Sequence, residues 1–160
     1  MHDVTALIAN SDKLTAATRR FETVVVCPLV QSFSLLPITE ELAKELSVYA
    51  SQMKAPLTKP ITELSDELHA LAIDISYDCP VAYISTVYFG GRGGQNALVW
   101  DKGSLRFSPA TQRYDQVWPN TPISQALRMI GVLAGEGMDE FDTVGLGKHR
   151  HTHRWAESVK

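Results

Sequence analysis

The stretch from Val81 to Phe107, VAYISTVYFGGRGGQNALVWDKGSLRF, decides the expected fold. Its first segment, VAYISTVYF, is rich in β-branched and aromatic residues at both odd and even positions, which predicts a central strand covered on both faces. QNALVW and SLRF predict two further strands. Between them, Asp101, Lys102 and Gly103 predict a tight turn, because glycine takes a positive φ at no steric cost. The stretch therefore predicts a three-stranded antiparallel meander.

The first third of the chain predicts the order strand, helix, strand, strand. Val4 to Ala9 is a short apolar run, and Ser11 after it is a suitable N-cap for a helix. Thr23 to Cys27 (TVVVC) and Ser32 to Leu36 (SFSLL) are rich in strand-forming residues, and each ends at a proline. Both segments are therefore predicted to be strands.

Further helices are predicted from caps and from apolar spacing. Thr39 is a candidate N-cap for one helix, and Thr121 followed by proline opens another. From Thr58 onward, apolar residues between Ile61 and Ile75 recur at steps of three and four, which predicts the clearest helix of the chain. Met138 to Val144 has the composition of one or two helical turns.

Composition places the chain among ordinary globular proteins. Of its 160 residues, 44% are hydrophobic and 21% charged, which is far from the composition of disordered chains. No linker or internal repeat divides it. The sequence therefore predicts a single α+β domain over residues 1–160, with a mainly antiparallel sheet and three to four helices packed on it.

Charge and cysteine content limit the expected partners and compartment. The net charge of −3 gives no case for binding nucleic acid or a membrane, since both require a positive surface. No apolar run has the length of a membrane span or a signal-peptide core, and Cys27 and Cys79 are predicted to be reduced thiols. A cytoplasmic protein is expected. Its oligomeric state is left open.

The glycine-rich segment Gly90 to Gly94 follows a strand, as a phosphate-binding loop does. Such loops lead into a helix whose amides face the anion, whereas this segment leads into another strand. A hairpin or bulged connection is the main prediction. A recognition loop, in which Arg92, Gln95 and Asn96 present hydrogen-bond donors to a partner, is the alternative.

Three histidines alternate near the end of the chain, at His149, His151 and His153. A strand would place all three rings on one face, whereas a helix would align only the first and the third. They are candidate zinc ligands, with acids between Glu136 and Asp142 close in sequence. The two alternatives are a solvated polar segment and a seam of ion pairs between the basic tail and those acids.

Two segments resemble a pattern in small uncharacterised bacterial proteins. YFGGRGGQNALVW at Tyr88 to Trp100 matches a strand ending in YFGGxGxQ, and DEFDTVGLGKHRHTHRW at Asp139 to Trp155 matches DEFDxxGLGxHRxTxxW. The match covers about a fifth of the chain and implies no established activity. Proteins of this size and composition also resemble immunity partners of bacterial toxins, which act by binding alone. The resemblance points to Gly90 to Asn96 and His149 to Trp155 as contact segments. The candidate binding residues are Arg92, Gln95, Asn96, Asp139, Asp142, Arg150 and Trp155.

Two functions follow as hypotheses. The first is a non-enzymatic domain that binds a protein partner without a cofactor, as a toxin-neutralising protein does. Outside Lys148 to Arg154 the chain holds 12 basic and 18 acidic residues, and such an acidic body would complement a basic partner. The second is a small metal-dependent hydrolase, in which the three histidines bind zinc and Glu140 or Asp142 acts as general base.

Overall fold

Six strands form one sheet in the computed structural model, which describes residues 1–48, 59–89, 92–108 and 117–159, with the backbone alone at Phe89 and Arg92. All neighbouring strands are antiparallel, and their order is β2-β3-β1-β4-β5-β6. The strands are β1 His2–Asn10, β2 Cys27–Pro28, β3 Phe33–Pro37, β4 Val81–Phe89, β5 Arg92–Asp101 and β6 Ser104–Phe107.

The described residues also form six α-helices, and the α+β class is therefore confirmed. Three to four helices were expected on the sheet, and the additional ones are short. The helices are α1 Ser11–Thr18, α2 Glu40–Val48, α3 Asp66–Ser76, α4 Pro122–Met129, α5 Glu140–Val144 and α6 Thr152–Glu157, with a 3-10 turn at Leu146–Lys148.

The sheet is covered on both faces, as the composition of its central strands predicts. In β4, Ala82 and Ile84 lie in one hydrophobic core, while Val81 and Tyr83 lie in the other. Successive side chains of a strand point to opposite faces, so the two cores are separated by the sheet. Apolar residues of α1, α2 and α3 belong to one core, and those of α4, α5 and α6 to the other.

The meander is confirmed. β4 pairs with β5 over its full length, from Val81 opposite Trp100 to Phe89 opposite Arg92. Lys102 and Gly103 connect β5 to β6 with positive φ values of 53° and 80°. Gly93 and Gly94 thus belong to the β4–β5 pairing, and Gly90 and Gly91, the rest of the predicted connection, lie outside the described residues.

Two helix starts differ from the expected ones. α1 is capped by Asn10, whose Oδ1 accepts a hydrogen bond from Lys13 N–H at 3.2 Å, so Ser11 is its first residue rather than its cap. α3 is capped by Ser65, whose Oγ accepts from Leu68 N–H at 3.1 Å. The predicted start at Thr58 lies outside the described residues. α4 begins as expected, with Thr121 as its cap.

The predicted strand over Thr23–Cys27 was wrong in all but its last residue. Only Cys27 and Pro28 pair with β3, with Cys27 opposite Leu35. Continuing that register would place Val25 opposite Pro37, which has no N–H to donate, and the ladder therefore ends. Val25 nevertheless packs on one core, and Val24 and Val26 pack on the other. Successive valines of this segment therefore pack on opposite cores, as the residues of a strand do, although only Cys27 of the segment pairs with a neighbouring strand among the described residues.

No helix within the described residues has the length and apolar character needed to cross a membrane.

Candidate functional site

The C-terminal segment completes the edge of the central strand β1. Pairing between β1 and β3 ends at Ala6 opposite Pro37, which leaves the first residues of β1 without β3 on that side. There, Asp3 N–H donates to the Arg150 carbonyl at 2.7 Å, and Thr5 N–H donates to Thr152 Oγ1 at 3.0 Å. A single parallel bridge, Asp3 to His151, results.

This junction brings the starts of α2 and α6 to opposite sides of a surface depression of about 340 Å³. A second depression of about 310 Å³ shares three lining residues with it, and the two are therefore continuous. We call the combined feature the acidic groove. Its first part is lined by Asp3, Ile38, Thr39, Glu40, Glu41, His151, Thr152 and His153, and its second adds Glu22, Thr23, Val24, Val25, Ala156 and Glu157.

The first part of the acidic groove is lined by carboxylates that have no ion-pair partner among the described residues. None of its lining residues is lysine or arginine. Among the described residues, the carboxylates of Asp3, Glu40 and Glu41 have no ion-pair or hydrogen-bond partner. Glu157 differs, because it pairs with Arg154 at 3.3 Å. Three carboxylates are thus available to a ligand in the first part of the groove.

Two threonine hydroxyls of the first part of the groove accept hydrogen bonds from backbone N–H groups. Thr39 caps α2, and its Oγ1 accepts from Leu42 N–H at 3.1 Å. Thr152 Oγ1 accepts from Thr5 N–H. These contacts fix the walls of the groove, while the carboxylates and the imidazoles remain the groups that a ligand can engage.

His151 and His153 are stacked at the groove. Their ring centroids lie 5.5 Å apart, and the ring planes differ by 17°. His151 is the residue before the first turn of α6, and His153 lies in that turn. The paired rings thus add two imidazoles to the lining of the otherwise acidic groove.

His149 is separated from this pair. Its ring meets Trp155 edge to face at a centroid distance of 4.8 Å, and its Nε2 is buried without a hydrogen-bond partner among the described residues. The structure therefore brings together two of the three candidate zinc ligands. Across the described ranges, no three His, Cys, Asp or Glu side chains converge in a metal-holding arrangement. The zinc hypothesis stays a prediction.

Three of the expected contact residues have structural roles. Asp139 is 3% exposed and caps α5, with its Oδ1 accepting from Asp142 N–H at 2.8 Å. Trp155 is 3% exposed and belongs to the core that α4 covers. Gln95 Oε1 accepts from Ile123 N–H at 3.0 Å, at the start of α4.

The remaining expected contact residues are spread over separate elements. Asn96 is half-buried in β5, opposite Ser85. Asp142 in α5 and Arg150 before α6 are exposed. The side chain of Arg92 lies outside the described residues. The structure does not gather the seven residues into one surface, and their role in binding stays a prediction.

The acids near the basic tail have other neighbours. Glu140 accepts two hydrogen bonds from Arg128, from Nε at 2.7 Å and from a terminal nitrogen at 3.2 Å. No ion pair joins Lys148, Arg150 or Arg154 to the acids between Glu136 and Asp142 in the described part of the chain. The tail is instead joined to β1.

Sequence reasoning did not find Asp3, Glu40 or Glu41 as site residues. The two glutamates were explained as favourable charges in the first turn of a helix. No local signal joins them to Asp3 or His151, because the residues are tens of positions apart and meet only through the sheet.

No family model matches the chain, and no curated protein and no solved structure proved similar to it.

Proposed function

We propose that this chain is a non-enzymatic protein-binding domain that receives a positively charged segment of a partner protein in the acidic groove. The observation that supports the proposal is the set of three carboxylates, Asp3, Glu40 and Glu41, which line one depression and have no ion-pair partner among the described residues. Complementary charge speeds association and selects partners. The Thr39 and Thr152 hydroxyls beside them accept from backbone N–H groups and make no hydrogen bond to these carboxylates.

A toxin-neutralising role in the bacterial cytoplasm is the finer form of this proposal. It draws on the resemblance of a chain of this size and composition to immunity partners of bacterial toxins, and on a groove suited to binding alone. A toxin whose target is a nucleic acid would itself carry the basic surface that the groove complements.

The test compares two charge variants as baits in extracts of the source cells. Glu40→Gln with Glu41→Gln removes two charges from the groove. Asp12→Asn with Glu67→Gln removes two first-turn charges from α1 and α3, outside the groove, and is the matched control. We expect a basic protein to be retained by the parent chain and by the control, and to be lost from the groove variant.

Equal retention by all three baits contradicts the proposal. Where a partner is retained, its expression alone should arrest growth, and co-expression of the parent chain should relieve the arrest. A partner that is harmless when expressed alone contradicts the toxin-neutralising role. The proposal of a protein-binding domain is retained in that case.

A further inference from the structure

The stacked pair His151 and His153 distinguishes the acidic groove from an ordinary acidic surface. The rings form part of its wall together with Asp3, Glu40 and Glu41. A ligand in the first depression therefore meets carboxylates from β1 and α2 together with two imidazole rings. Negative charge alone would bind any cation. Carboxylates beside imidazole rings favour a planar cation over a compact one.

Resting on the proposed function, we infer that the partner's anchoring group is an arginine side chain, whose guanidinium stacks on the His151–His153 pair and donates to the groove carboxylates. Guanidinium is planar and forms bidentate hydrogen bonds with carboxylates. A lysine ammonium is a compact, strongly hydrated charge that gains little from a ring plane. The groove therefore discriminates between two equally charged side chains.

The hydrogen bonds that the lining groups of the groove already make, or lack, support this assignment. The hydroxyls of Thr39 and Thr152 already bind backbone N–H groups, and so they offer a ligand no strong competing site. Asp3, Glu40 and Glu41 have no partner among the described residues, and all three are exposed. A guanidinium, with five N–H donors and no acceptor, matches a wall that presents acceptors and ring faces.

The test uses two capped pentapeptides of equal charge, Arg-Gly-Arg-Gly-Arg and Lys-Gly-Lys-Gly-Lys, titrated into the full chain at low salt. We expect the arginine peptide to bind about tenfold more tightly. His151→Ala with His153→Ala should reduce that ratio to near one, chiefly by weakening the binding of the arginine peptide. His151→Phe with His153→Phe keeps the ring planes and should keep the preference.

Each outcome separates the inference from the function on which it rests. Equal binding of both peptides by the parent chain, weakened by Glu40→Gln with Glu41→Gln, retains the cationic partner and overturns the arginine anchor. A preference that survives in the double alanine variant also overturns it. If neither peptide binds, both proposals are overturned. The preference is a ratio within one protein, so partial unfolding of a variant lowers both affinities and does not imitate the result.

Discussion

At the scale of single residues, the chain retains polar groups in its interior at some cost. His69 in α3 is 4% exposed, and its Nδ1 has no hydrogen-bond partner among the described residues. Its ring lies 5.5 Å from that of Trp100. Burial lowers the pKa of His69, although the nearby charge of Asp66 acts in the opposite direction. The folded protein therefore holds this ring neutral in a pH range where the unfolded chain protonates it.

His69→Phe should stabilise the protein, and more so in acid. Because the pKa of His69 is lowered by folding, the unfolded state binds an extra proton as the pH falls through the ordinary histidine range, and stability is lost there. Phenylalanine removes both this proton uptake and the unpaired nitrogen. We expect a gain of about 1 kcal/mol at about pH 5 and a smaller one at about pH 8. Urea unfolding at the two pH values measures it, and equal gains would contradict the titration argument.

Asp139 and Asp142 provide a matched pair for separating the effect of helix capping on stability from the effect of negative charge. Asp139 caps α5, whereas Asp142 is exposed and contributes its backbone N–H to that cap. Replacing the capping carboxylate leaves that N–H without its partner. Asp139→Ala should therefore cost about 1 kcal/mol, and Asp142→Ala much less, although both remove one negative charge. Thermal unfolding distinguishes them, and equal losses would show that charge rather than capping matters.

At the scale of elements, much of the architecture was predictable because the signals were local. The meander, the Thr121 cap and the two-sided burial of β4 follow from strand composition at odd and even positions, turn glycines and caps within a few residues. The strand over Thr23–Cys27 failed because its pairing depends on Pro37, which lies in another element. The acidic groove was unpredictable for the same reason, since β1, α2 and α6 each supply part of it.

The β4–β5 hairpin needs glycine at one position and tolerates other residues at the next. Gly93 has a φ of +133°, and a Cβ there would lie 1.7 Å from the Val87 carbonyl oxygen. A Cβ at Gly94 would have no atom within 4 Å. Gly93→Ala should therefore destabilise the protein by about 2 kcal/mol or more.

Gly94→Ala is the control and should leave stability unchanged or slightly raised, because alanine restricts the unfolded chain more than glycine does. Melting temperatures of both variants test the pair. A neutral Gly93→Ala would mean that the hairpin backbone adjusts freely.

At the scale of the whole molecule, charge is distributed unevenly around a sheet whose central strands are covered on both faces. The unpaired carboxylates gather where α2 and α6 begin, and the exposed Arg150 belongs to the segment that closes β1. Both cores are sealed by helices, so the polar groove at their margin is formed without opening either core. Binding at this place requires no rearrangement of the sheet.

Association with a cationic partner should weaken steeply with ionic strength. The groove acids are exposed, and salt screens exposed charges over a length of about 10 Å at 0.1 M. We expect the association rate to fall as salt rises, and the dissociation rate to change little. Stopped-flow mixing at several salt concentrations measures both rates. A change confined to dissociation would indicate that buried contacts, and not long-range attraction, govern the encounter.

The bridge between β1 and the Arg150–Thr152 segment also bears on the order of folding. Thr5 and Thr152, which it joins, are 147 positions apart. Closing a loop of that length costs conformational entropy before the contact forms, whereas the β4–β6 meander needs only local pairing. The wall at His151 to His153 is therefore expected to be among the last parts of the fold to be completed.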